Sequence, residues 1–390
     1  MEISDRLKKL PVQFFSTLVN KVNKAVAEGR DIINLGQGNP DQPTPPHIVK
    51  ALQVAAEDPQ THKYSLFRGI PEVKEAAADF YKKQYSVDLD PEKEVAVLFG
   101  TKTGLVELPM CLLNEGDLML LPDPGYPDYL SAIALANVRY ETFPLVAENQ
   151  YLPNYADFTE DQKALAKLMY LNYPNNPTGA TANKAFFEET VAFAKENHIA
   201  VLHDFAYGAI GFDGKRPTSF LEVEGAKDVG IEMYTLSKTY NMAGWRVGFA
   251  VGNADIIEAI NLIQDHLYCS LFPAVQKAAV AALTGDQKCV DELVERYESR
   301  RNTFINACRR IGWDVQPSTG SFFVWLPVPS GFTSEEFADY LLDKADVAVA
   351  AGNGFGQFGE GYIRVGLLLD EDRLIEAVER IDKLNLFNKA

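Results

Sequence analysis

Cysteine is sparse in this chain of 390 residues: Cys111, Cys269, Cys289 and Cys308 stand far apart and form no C-x-x-C pair. That spacing points to neither a disulfide framework nor a cysteine zinc site, and reduced core thiols fit a cytoplasmic location. The five histidines lack metal-ligand spacing, so no metal centre is expected, and His203 beside Asp204 reads as a packing residue. No apolar run approaches the roughly 20 residues that cross a bilayer. The opening MEISDRLKKLPVQFF lacks the apolar core and small-residue cleavage site of a secretory signal. A soluble protein is therefore expected. Basic residues are also short, 37 Lys and Arg against 54 Asp and Glu, for a formal net charge of −17. Nucleic acid and anionic membrane are not expected partners, and an anionic ligand needs a local basic pocket. A G-x-S-x-G elbow, a Ser-His-Asp set and a Walker loop are all missing, so serine hydrolysis and nucleoside triphosphate binding have no support.

What is present is alternation. From about Glu94 the short apolar runs EVAVLFG, LMLLPDP, AKLMYLNYP, IAVLHDF, IEMYTLS and WRVGFAVGN alternate with helical segments, the pattern of an α/β fold with a mostly parallel sheet. Between two of these runs NKAFFEETVAFAKENH has helical spacing, with Asn183 as its N-cap. After about Leu283 come a long charged helix, GSFFVWLPVP, a helix from Thr333, YIRVGLL and a last helix from about Asp370. The expected division is an N-terminal arm packing with the small domain (1–45), a large domain (46–283) and a smaller α+β domain (284–390).

Lys238 stands in a mostly apolar stretch, where burial lowers an amine's pKa and leaves it nucleophilic toward carbonyls. Its bland alternative is an ammonium that reaches solvent at a loop. HDFAYG puts Asp204 and Tyr207 at the carboxyl end of a strand, where α/β sheets assemble their sites. A buried carboxylate there holds a heteroaromatic nitrogen protonated, or else merely caps a loop. YPNNPTG supplies two asparagine amides or is only a turn. FGTKTGL passes from strand to helix with two glycines, two hydroxyls and a lysine, the makings of an anion cradle. GNGFGQFG contains a formal G-x-G-x-x-G at Gly354, Gly356 and Gly359, but it leads into a strand-like run and opens no helix, so it is not a dinucleotide fingerprint. Arg364 in YIRVG is either a snorkelling surface arginine or a bidentate carboxylate clamp.

In this order the motifs resemble those of the fold type I pyridoxal-phosphate enzymes, specifically the class I and II aminotransferases related to aspartate aminotransferase. The match runs from INLGQGNPDQPTP at Ile33 to YIRVGL around Arg364. The resemblance implies a large domain with a seven-stranded-type sheet and a smaller α+β domain, with pyridoxal 5′-phosphate as cofactor. It implies that Lys238 forms the Schiff base and shuttles the proton, that Asp204 partners the pyridinium nitrogen, and that Tyr207 and Asn176 contact the ring oxygen. Thr101, Lys102, Thr235, Ser237 and Arg246 fall on phosphate-binding positions, and Tyr126 on the ring that stacks on the cofactor. Gly38, Asn176 and Arg364 fall on substrate-binding positions. Tyr64 falls where relatives reach the neighbouring subunit's phosphate, so a homodimer is implied. The substrates implied are an amino acid and a 2-oxo acid in a ping-pong cycle. DHLYCSLFP, a pocket segment, contains no arginine, and Phe14 and Phe15 of VQFFSTL offer apolar walls, so the side chain is expected to be neutral or apolar. NLGQGNPDQPTP and YPNNPTG are similar to the LL-diaminopimelate branch and to methionine-salvage enzymes that aminate 2-oxo-4-methylthiobutyrate. Two other readings stay open at this level: a C–S β-lyase using the same lysine, aspartate and tyrosine, and a non-catalytic pyridoxal-phosphate-sensing domain. A nicotinamide dehydrogenase is not supported.

Overall fold

The computed structural model describes residues 2–387. Its strands are β1 (Ile33–Asn34), β2 (Val95–Leu98), β3 (Leu118–Asp123), β4 (Arg139–Pro144), β5 (Ala166–Asn172), β6 (Ala200–Asp204), β7 (Gly230–Thr235), β8 (Gly248–Gly252), β9 (Phe323–Pro327), β10 (Val347–Ala348), β11 (Ala350–Ala351) and β12 (Tyr362–Gly366). The seven-stranded sheet has the order β2-β8-β7-β6-β5-β3-β4. Side chains of β2, β3, β7 and β8 are buried throughout, because helices cover both faces and the strands can be apolar at every position.

Two features were not specified by the sequence. The edge strand β4 was not anticipated: its first four residues, Arg139 to Thr142, are exposed, so it carries neither an apolar run nor a clean alternation. The sheet is mostly parallel as expected; what the sequence did not say is which strand departs, and it is β8, antiparallel to both neighbours, β2 and β7.

The helix Lys184–Asn197 begins as the sequence predicts, with Asn183 Oδ1 accepting from the Phe186 amide at 2.9 Å. The helix Ser334–Ala345 starts at Thr333 in a capping box with Glu336, which satisfies two otherwise unpaired backbone donors. A second body is built on the antiparallel sheet β11-β12-β9. The N-terminal chain joins it: β1 pairs with β10, and Ile33 and Leu35 share an apolar cluster with Phe304, Trp313, Phe337 and Val365. The stretch 352–359 forms two 3-10 turns and leads directly into β12, a strand, where a dinucleotide fingerprint would open a helix. Among the described residues no helix is long and apolar enough to cross a membrane.

Candidate functional site

Chain order turns back between β3 and β5, with β4 outside them, and such reversals open a crevice at the carboxyl ends of the strands. Asp123, Asn172, Asp204 and Thr235 end β3, β5, β6 and β7, so four polar groups reach the same edge of the sheet. Asn172 lies in register with Asp204. Its Nδ2 donates to the Asp204 carbonyl at 2.7 Å, and its Oδ1 accepts from the Asn176 amide at 2.7 Å. One side chain thereby ties the YPNNPTG turn to the strand carrying Asp204.

Asp204 is 4% exposed. Tyr129 donates to its Oδ2 at 2.8 Å, and among the described residues Oδ1 has no partner at hydrogen-bond geometry, the Ala206 amide being near the carboxyl without making one. Burial pushes this carboxyl up to about 6, with the Tyr129 hydrogen bond pulling the other way. Tyr207, also buried, meets Phe322 and Phe323 edge-on, and burial raises its phenol well above the ordinary range.

Thr235 caps the short turn Leu236–Thr239, its Oγ1 accepting from the Ser237 amide at 3.2 Å. Lys238 follows in that turn and donates from Nζ to the Gly38 carbonyl at 2.9 Å. Burial, then the charges of Arg364 and Arg246, lower its pKa to about 8. A neutral amine is therefore available near physiological pH. Arg246 has a left-handed backbone (φ 56°), an uncommon conformation for a residue with a side chain. Its guanidinium lies against Gly100, where a Cβ would come within 2.5 Å of Nη2. Gly100 (φ 75°) is the N-cap of the helix Thr101–Leu112, whose first amides have no intrahelical acceptor. Lys102 is paired with Asp128 at 2.8 Å.

Arg364 on β12 is 1% exposed. Nη1 donates to Asn176 Oδ1 and Nη2 to the Gly36 carbonyl, both at 2.9 Å, while Nε has no partner among the described residues. Aromatic rings surround it: the guanidinium carbon is 4.0, 4.8 and 5.0 Å from the ring centroids of Phe323, Phe355 and Phe15. Burial lowers its pKa to about 10. The snorkelling alternative does not describe it.

The residues expected to hold cofactor and substrate carboxylate, Tyr64 excepted, line one cavity of about 340 Å³, and Phe15 joins them; Phe14 and the segment 265–273, expected at the side-chain pocket, do not line it. Tyr64 is 92% exposed and lies outside it. Sequence reasoning missed Asn172, Tyr129 and Phe323. Asn172 carried a usable signal, a polar residue closing an apolar run as Asp204 does; Tyr129 carried none. Lys102, Lys238, Arg246 and Arg364 face the cavity against one carboxylate, Asp204, which supplies the basic pocket that the acidic chain needs for an anion. The donor set fits pyridoxal 5′-phosphate. The bare Asp204 Oδ1 suits a protonated ring nitrogen, and Arg246 with the helix start at Thr101 suits a phosphate. Among the described residues no cluster of His, Cys, Asp and Glu could hold a metal ion.

A family model described as aminotransferase class I and II matches residues 30–381. The chain is 66% identical to the L-glutamine--4-(methylsulfanyl)-2-oxobutanoate aminotransferase of Bacillus subtilis (strain 168), covering 100% of this chain and 98% of that protein. It is 44% identical to the LL-diaminopimelate aminotransferase of Halothermothrix orenii, over 98% of each. Its fold is similar to a solved substrate-bound structure of BacF from Bacillus subtilis, with a TM-score of 0.95, 50% identity and 99% of each chain covered.

Proposed function

The chain belongs to the class I and II aminotransferases, and from that premise we propose that it transfers the amino group of L-glutamine to 4-(methylsulfanyl)-2-oxobutanoate. It is a pyridoxal-phosphate-dependent aminotransferase, and the donor and acceptor are those in the name of its 66% identical relative. The observation that carries the reading is a buried, partnerless carboxylate oxygen, Asp204 Oδ1, in the same cavity as Lys238.

When bound, pyridoxal 5′-phosphate supplies an aldehyde carbon and a protonated ring that draws electron density from the substrate α-carbon. Asp204 would hold the proton on its ring nitrogen. Thr101, Lys102, Thr235, Ser237 and Arg246 would hold its phosphate, Tyr126 would stack on the ring, and Tyr207 and Asn176 would bind the ring oxygen. Lys238 Nζ, to which it would attach, would take the proton from the substrate α-carbon as general base, a role suited to an amine of pKa about 8. Arg364 grips the carboxylate common to amino acid and oxo acid, with Asn176 and Gly38 beside it. Both halves of the ping-pong cycle thus use one clamp.

Side-chain preference follows from what faces Arg364. Among the described residues the arginines in the cavity lining are Arg246 and Arg364, and both have assignments in this reading. The walls near Arg364 are Phe15 and Phe323, which favours an uncharged thioether chain over a second carboxylate. The reading also takes residues 46–283 as the cofactor-binding domain, 1–45 as an N-terminal arm and part of the small domain, and 284–390 as the small C-terminal domain. It places Tyr64 at the phosphate site of a second copy, in a cytoplasmic homodimer.

The test is spectroscopic. L-glutamine alone should abolish the visible band of the purified holoenzyme, and 4-(methylsulfanyl)-2-oxobutanoate should restore it. Pyruvate and ammonia released from cystathionine with no oxo acid present would instead identify a C–S lyase.

A further inference from the structure

The glycine-rich stretch 352–359 is no nucleotide fingerprint, and the transamination chemistry leaves it without a task. Its glycines are sockets. A Cβ on Gly354 would meet ring carbons of Phe14 at 2.1 Å, and one on Gly356 would meet Asp123 Oδ1 at 2.1 Å. Gly356 also has φ 137°, which side-chain-bearing residues avoid. Asp123, at the end of β3, accepts from the Phe358 amide at 2.9 Å and the Gln357 amide at 3.0 Å. The Gly125 amide donates to the Phe355 carbonyl at 2.8 Å. Three remote segments meet here: the start of the helix Phe14–Ala27, the end of β3 and the approach to β12.

Between the sockets stands Phe355. It packs edge-on against Phe14 at 5.4 Å and Phe15 at 5.9 Å, and its centroid is 4.8 Å from the Arg364 guanidinium carbon. A guanidinium flanked by aromatic rings keeps its donors in the plane between them, where a carboxylate is bound bidentately. We propose that the 352–359 stretch is a positioning device for the substrate carboxylate: Gly354 and Gly356 lock Phe14 and Asp123 so that Phe15 and Phe355 hold the Arg364 guanidinium in its binding plane. This rests on the reading of Arg364 as the carboxylate clamp.

The test uses the holoenzyme and 4-(methylsulfanyl)butanoate, a carboxylate with neither amino nor oxo group. Its dissociation constant is read from perturbation of the cofactor's visible band. Asp123→Asn, nearly isosteric, removes one acceptor from the two amides; Gly354→Ala evicts Phe14. Each is expected to weaken the probe roughly tenfold and to raise KM for amino acid and oxo acid in the same proportion. The turnover number and the pH midpoint of the visible band should stay as in the parent. Phe14→Ala combined with Gly354→Ala should be no worse than Phe14→Ala alone, because both changes empty one socket. If Gly354→Ala does not fold, Asp123→Asn decides. Parent-like probe binding in Asp123→Asn, with loss in Arg364→Ala, overturns the positioning role and spares the clamp. Parent-like binding in Arg364→Ala overturns the clamp itself. A lowered turnover number with KM unchanged also overturns the positioning role.

Discussion

Tyr129 donates to Oδ2 of Asp204 at 2.8 Å and leaves Oδ1 bare. The phenol stabilises the charged carboxylate, opposing the burial that raises its pKa to about 6. Tyr129→Phe removes that opposition, so Asp204 should ionise only at higher pH. In the cofactor-free protein the infrared-detected titration of this carboxylate is expected to move upward by roughly half to one pH unit. Superimposable pH profiles for parent and variant would refute the coupling.

Asp204 should also destabilise the cofactor-free protein. Its folded pKa is raised, so between 3.8 and about 6 the folded state binds more protons than the unfolded chain, and stability falls as pH rises through that window. Above it the cost levels off at about 3 kcal/mol. Asp204→Asn is therefore expected to melt higher than the parent at pH 7.5 without cofactor, with the difference vanishing below pH 4. Added pyridoxal 5′-phosphate should reverse the order, which paired thermal scans would detect.

Lys238→Ala is expected to abolish turnover while the protein still binds cofactor through its phosphate and ring contacts. Equilibrium dialysis with an activity assay separates the two. Near-normal transamination by this variant would sink the assignment of Lys238.

Much of the site was legible because a polar residue closing an apolar run is conspicuous, as with Asp204 after IAVL. Asn172 followed the same rule after LMYL, but it sat beside a turn-rich stretch that drew the attention. Tyr129 was unreadable, since its partner lies 75 residues further along the chain. The direction of β8 was equally hidden: an apolar run specifies a buried strand, not which way it runs. The sockets at Gly354 and Gly356 depend on Phe14 and Asp123, far off in sequence, so the spacing of the glycines gave no hint of them. Helix starts at Asn183 and Thr333 were legible because capping is local.

Glu232 is a separate case, a carboxyl group buried in the core. It accepts from Tyr81 Oη at 2.6 Å, Ser219 Oγ at 2.8 Å, His203 Nδ1 at 2.7 Å and the Phe220 amide at 2.8 Å. Truncation to Ala strands all four partners in the core. Glu232→Ala is expected to lose about 3–5 kcal/mol of stability, measurable by urea unfolding. A loss below 1 kcal/mol would show that water replaces the carboxylate.

The antiparallel course of β8 has a geometric result. Had the chain continued in the parallel manner, it would have left the sheet edge after Lys238, crossed the face as a helix and re-entered at the far side. Instead it reverses at once, and Arg246 arrives eight residues later while still beside the cavity. The turn joining β7 to β8 therefore works as a gauge. Its length sets the separation between the Lys238 amine and the Arg246 guanidinium across the cavity, and adding or deleting a residue there would change it.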